Sequence, residues 1–183
     1  LAVLHQHGVL AHFLPATAAM WQTPTGDLTR QLIAERDLRK VAPNYSRSRA
    51  LAIITHIAPA IAEHLNWDLA NGPWEYEPGI ESAIQDWLRD FFLPLPMPRF
   101  LIARARDALL LLSRFRNHEH TARLLHHPEY GYARELLSLL TTVCGWDPHR
   151  LEDWPVQGHG RPGRRRQQIR GKHVTRSHKK HWE

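Results

Sequence analysis

The feature that most constrains this chain is a series of apolar residues at helical spacing, cut by prolines and glycines, with no stretch alternating at every second position. A helix buries one stripe when apolar residues recur three or four apart, whereas a half-buried strand needs them at every second position. The pattern therefore predicts an all-α fold, an irregular multi-helix body. Asp27–Val41 places Leu28, Leu32, Leu38 and Val41 among charged residues. Ser46 is expected to cap a helix running through Leu51, Ile54, Ile57, Ile61 and Leu65, with a kink at Pro59. Ile80–Phe92 carries the stripe Ile84, Trp87, Leu88 and Phe91. Leu93–Pro98 cannot be helical throughout, because each proline restrains the residue before it. Pro98 is placed to open the next helix, Arg99–Arg116. Helices over Glu119–Leu125 and Glu129–Val143 follow, separated by His127-Pro128. Ahead of these, Leu4, Leu10, Phe13 and Leu14 mark a weaker helical stretch with breaks at Gly8 and Pro15. Asn66–Gly79 reads as a turn-rich surface loop, Gly145–Pro155 closes the folded part, and no internal repeat stands out.

Charge divides the chain in two. Residues 158–183 hold nine lysines and arginines (Arg161, Arg164, Arg165, Arg166, Arg170, Lys172, Arg176, Lys179 and Lys180) against one acid, Glu183. The 157 residues before them hold 15 basic and 17 acidic side chains, so the formal net charge of +6 comes from the tail alone. Glycines, Pro162 and only three apolar side chains, Ile169, Val174 and Trp182, leave the tail too little surface to bury, and it is expected to be disordered alone. Domain organisation thus reads as a helical body, 1–157, and a disordered basic tail, 158–183. Such asymmetry points to a polyanion, nucleic acid ahead of a membrane surface. Arginine and lysine neutralise phosphates and release condensed counterions. His173, His178 and His181 add donors, and Trp182 could stack on a base.

Other chemistries find little support. Cys144 is the only cysteine, which excludes an intramolecular disulfide, and it reads as a small buried residue. There are fourteen histidines, but no HExxH, and His118, His120, His126 and His127 lack the spacing of a metal site. His126 and His127 instead suit the negative end of a helix. No GxSxG, glycine-rich phosphate loop or Cys–His arrangement is present, so no catalytic residue is expected in this chain. The tryptophans, Trp21, Trp67, Trp74, Trp87, Trp146 and Trp154 among them, read as anchors of helices and loops. Apolar runs fall far short of a membrane span and the start of the chain lacks a signal-peptide layout, so the expected home is cytoplasmic with no membrane partner. The chain begins at Leu1, inside an apolar helix-like pattern, as expected of a piece of a longer protein.

Within the body, the helix Arg99–Arg116 is the candidate for phosphate contact. At 100° per residue, Arg99, Arg106 and Arg114 fall within a sector of about 80°, and Leu101, Leu109 and Leu112 turn toward the core. Arg104, Arg116 and Arg123 could widen the basic surface, while Asp107 lies in the same sector and blunts it.

The order of segments carries a resemblance. A short helix over Leu1–Phe13 precedes a small-residue helix, Ala50–Leu65. Pro98-Arg99-Phe100 opens an arginine-bearing helix. Leu124-Leu125-His126-His127-Pro128-Glu129-Tyr130 precedes another helix, Ala133–Leu140, a Trp-containing coda and the basic tail. This arrangement resembles the C-terminal half of bacterial poly(A) polymerases, members of the nucleotidyltransferase superfamily shared with CCA-adding enzymes. The resemblance covers nearly the whole chain, and its specificity lies in the spacing of Pro98-Arg99-Phe100 and Leu124-Leu125-x-His127-Pro128-x-Tyr130. One departure is Asn117-His118-Glu119-His120, where the family has more Arg, Lys and Gly; RNA contact there would be weaker or more dependent on pH.

The resemblance implies a parent enzyme that adds adenylates from ATP to RNA 3′ ends with Mg2+ held by head-domain aspartates upstream of Leu1. This chain itself would then need no cofactor and be inactive alone, with RNA as its partner. The residues expected to touch phosphate are Arg99, Arg104, Arg106, Arg114 and Arg123 on the body, then the tail arginines and lysines. Two alternatives stay open: a fragment of a tRNA CCA- or A-adding enzyme, and a non-enzymatic helical module that binds RNA or protein.

Overall fold

A computed structural model describes residues 1–39, 48–117 and 121–156. The tail residues Arg161, Arg164, Arg165, Arg166, Arg170, Lys172, Arg176, Lys179 and Lys180 lie outside the described residues, as do Val41, Ser46, His118 and His120. The protein is all-α, and no strand occurs among the described residues.

Three short helices lead the chain: α1 Ala2–Gln6, α2 Leu10–Phe13 and α3 Pro15–Met20. Gly8, at φ 69°, separates the first two, a conformation with little steric penalty only for glycine. Pro15 opens α3 rather than merely ending what precedes it, because proline's fixed φ suits a first helical turn. The same holds for α4, Pro24–Leu38, which starts three residues before the expected Asp27. Thr23 caps it by accepting a bond from the Gly26 N–H.

Helix α5, Arg49–His64, lies at the centre of the core. Leu51, Ile54, Ile57, Ala58 and Ile61 are fully buried along it, and it packs against α4, α7 (Arg99–Arg116) and α9 (Tyr130–Cys144). Ser48 stands at its N-cap, without a side-chain bond. Pro59 sits inside the helix and is itself buried. Helix α6, Ile80–Phe91, buries Ile84, Leu88 and Phe91 as the periodicity requires, with Trp87 half-buried and stacked on Phe91. The proline-rich segment separates α6 from α7, and α8, Thr121–Leu125, lies between α7 and α9. Gly145, at φ 70°, ends α9 in the left-handed conformation, and a 3-10 turn, Pro148–Leu151, follows.

The segment 66–79 departs from a surface loop. Gly72, Pro73 and Trp74 are buried, and Trp74 stacks face to face on Trp67 with centroids 4.0 Å apart. The Trp146 Nε1–H donates to the Leu69 carbonyl, and Arg116 donates to the Pro73 carbonyl and pairs with Glu75. Turn-forming residues set the path of this segment, but its aromatic rings draw the middle inward.

Candidate nucleic-acid interface

Helix α7 has a buried side and an arginine side for a simple reason. Leu101, Ala105, Ala108, Leu109, Leu112 and Phe115 recur at helical spacing and pack against α5 and α9. The arginines between them must lie elsewhere. Arg99 and Arg114 are exposed, Arg123 is exposed on α8, and none of the three makes an ion pair among the described residues. Arg99 is the first residue of the helix, and no acid accompanies it in the first turn.

The single arginine sector expected from the helical wheel is divided in the structure. Arg106 lies where α6 packs on α7 and its side chain is only 22% exposed. It pairs with Asp107 at 2.8 Å and Glu81 at 3.4 Å, and donates to Gln85 Oε1 at 2.7 Å. Arg104 turns to the opposite flank, where its Nε lies 3.5 Å from Glu129 Oε1. A wheel treats each helix alone and cannot show which polar residue a neighbouring helix will engage.

Arg99 and Arg106 join Arg89 of α6 around a surface cleft of about 630 Å³. Met97, Ile102 and Ala103 provide its apolar wall. Arg89 is paired with Asp86 and Asp90, at 3.3 and 3.2 Å. Arg99 is therefore the cleft cation with no carboxylate partner among the described residues. Phe100, the next residue on the helix, is 62% exposed.

The second sequence anchor sits on the other flank of α7. Leu124 is buried, and Tyr130 packs edge-on against Phe115 while its hydroxyl donates to the Pro155 carbonyl. His127 does not serve the helix end as a cation. Its Nδ1 accepts from the Glu129 N–H, and burial lowers its pKa; Asp107 opposes that shift and Arg114 adds to it. Glu129 is 7% exposed, with Oε2 unpartnered among the described residues. Burial pushes its carboxyl above the usual range, Arg104 opposes this and Asp107 reinforces it. The Arg104–Glu129 ion pair thus ties α7 to the residue that precedes α9.

Arg89 and Glu129 belong to this surface without a sequence signal that marks them as members. Arg89 is three residues from Asp86 and next to Asp90, so its pairing is legible in the sequence, but its approach to α7 is not. Glu129 reads as an ordinary acid at a helix start, and only the packing of α9 on α7 buries it. Among the described residues, no group of three or more His, Cys, Asp or Glu could hold a metal ion, and no helix is long and apolar enough to cross a membrane. No protein family, curated protein or solved structure matches this chain.

Proposed function

We propose that this chain is an RNA-holding helical module, the C-terminal portion of a poly(A) polymerase-like nucleotidyltransferase. Its arginine surface contacts the phosphates near an RNA 3′ end, and its basic tail adds electrostatic attraction. The observation that carries the RNA reading is Arg99: a solvent-facing cation beside a cleft, in a helix turn without an acid and without an ion pair among the described residues. Arg114 and Arg123 are likewise exposed and without an ion pair among the described residues.

The polymerase part of the proposal rests on the spacing of the two sequence anchors. The parent would take ATP and Mg2+ in a separate head, and act in the cytoplasm. Within this chain, Arg99, Arg114 and Arg123 bind phosphate. Arg104 and Arg106, held by Glu129 and by Glu81 and Asp107, are placed to join them when an anion approaches.

Filter retention of labelled RNA tests the proposal. Replacing Arg99, Arg114 and Arg123 together with glutamine is expected to weaken retention at least ten-fold, since each lost phosphate contact removes released counterions. Unchanged retention by the triple variant would remove the body from the interface.

A further inference from the structure

We infer that Asn71 is a self-modifying site, at which the Gly72 backbone nitrogen attacks the Asn71 side chain and converts it to an aspartyl or isoaspartyl residue. The site needs no partner and is independent of any RNA contact. Its chemistry requires a carboxamide followed by a residue that leaves the next backbone N–H open to solvent. Of the four asparagines, Asn44, Asn66, Asn71 and Asn117, only Asn71 precedes a glycine; Tyr45, Trp67 and His118 follow the others. Glycine has no Cβ to obstruct the five-membered ring that the attack closes.

The fold leaves both reacting groups available. Asn71 is exposed, and the Gly72 N–H makes no hydrogen bond among the described residues. Base therefore removes that proton without first breaking a structural bond. The Gly72 nitrogen then bonds to Asn71 Cγ, the C–NH2 bond breaks, and ammonia leaves with a proton returned by solvent. Water opens the resulting succinimide at either carbonyl. One opening gives aspartate; the other gives isoaspartate, whose main chain is longer by one CH2 group. Nothing is oxidised or reduced, and water is the sole co-reactant.

The modification falls inside a latch. On one side of it, the Leu69 carbonyl accepts from Trp146 Nε1–H at 2.6 Å; on the other, the Pro73 carbonyl accepts from Arg116 at 2.8 Å. Gly72 between them is buried, and a Cβ on it would lie 2.8 Å from Arg150 Nη1. The Asn71 side-chain NH2 donates to Asp68 Oδ2, while Asp68 Oδ1 accepts from the Ala70 N–H. An aspartate at 71 loses that donor and sets a second carboxylate against Asp68, which like charges oppose. An isoaspartate lengthens the main chain between two pinned carbonyls. Either product loosens segment 66–79 from α7 and from Trp146.

The test ages the full chain in native buffer and in urea, at neutral and mildly alkaline pH, and follows each asparagine by tryptic digestion and tandem mass spectrometry. Residues 50–89 form one tryptic peptide, so Asn66 serves as a control within the same fragment. Asn71 should exchange NH2 for OH about ten-fold faster than Asn66, the advantage of a following residue without a Cβ. The native rate should match that in urea and rise with pH. Reaction in urea alone, or equal rates at Asn66 and Asn71, would overturn the inference. N71Q keeps the amide but would need a six-membered ring, and should stay unmodified. N71D should melt about 2–4 °C below N71Q and speed hydrogen exchange at the Trp146 indole. N71D with the midpoint and indole exchange of N71Q would overturn the loosening.

Discussion

Arg99 and His56 each hold a position that helix formation or solvation alone would not favour. Backbone N–H groups make the start of a helix positive, and a cation there is unfavourable by about 0.3–1 kcal/mol. Arg99→Glu should therefore raise the thermal midpoint of the free protein by about 2–4 °C, while weakening RNA retention. Calorimetry without RNA, set beside filter retention, checks both halves; a lower midpoint would make Arg99 a structural residue. His56 is 7% exposed, with Nε2 2.9 Å from Thr17 Oγ1 and Nδ1 unpartnered among the described residues. Burial, helped by Arg36, lowers its pKa from 6.5 to about 4. Above pH 6.5 both states are neutral and the residue adds no pH dependence. Between pH 6.5 and about 4 the unfolded chain binds a proton that the folded chain does not, so stability falls with pH, by about 3 kcal/mol in total. Urea unfolding across that window should show the decline, and His56→Leu should flatten it. Neither role is written in residue type alone, because it depends on which neighbours burial supplies.

Helices with strong apolar periodicity are legible in the sequence, and those whose ends depend on tertiary contact are not. The stripe Ile84, Leu88 and Phe91 is enough to define α6, and Leu136, Leu137 and Leu140 do the same for α9. The start of α4 is harder, because Pro24 and Gly26 resemble loop residues while serving a helix turn. Gly26 shows why. A Cβ there would overlap the carbonyls of Met20 and Trp21, so the chain leaving α3 presses against the first turn of α4. Gly26→Ala has the better helix propensity, yet it should destabilise the protein by about 1–3 kcal/mol in chemical denaturation. A stabilised variant would show that this turn shifts easily. The candidate site divides in the same way. Arg99, Arg104, Arg106 and Arg114 are readable as a polar side of α7, but the cleft belongs to two helices, and a single-helix projection contains only half of it.

At the scale of the whole molecule, charge and attachment are separated along the chain. The excess of lysine and arginine lies in residues 158–183, while the body carries slightly more acid than base. Ending the chain at Gln157 should thus reduce the magnitude of the RNA salt slope by up to about 6, nine cations at roughly 0.7 each. An unchanged slope would remove the tail from binding. The body's own integrity depends on contacts that span most of its length. Arg39, at the exit of α4, pairs with nearby Glu35. It also pairs with Glu135 and bonds Ser138 and Thr142 of α9, across separations of 96 to 103 residues. Contacts so distant along the chain close only after the helices between them have assembled. Removing them with Arg39→Ala, at about 2 kcal/mol, should speed unfolding about thirty-fold in stopped-flow measurements and leave the refolding rate nearly unchanged. One guanidinium thus governs how long the assembled body persists, and has little say in how quickly it is reached.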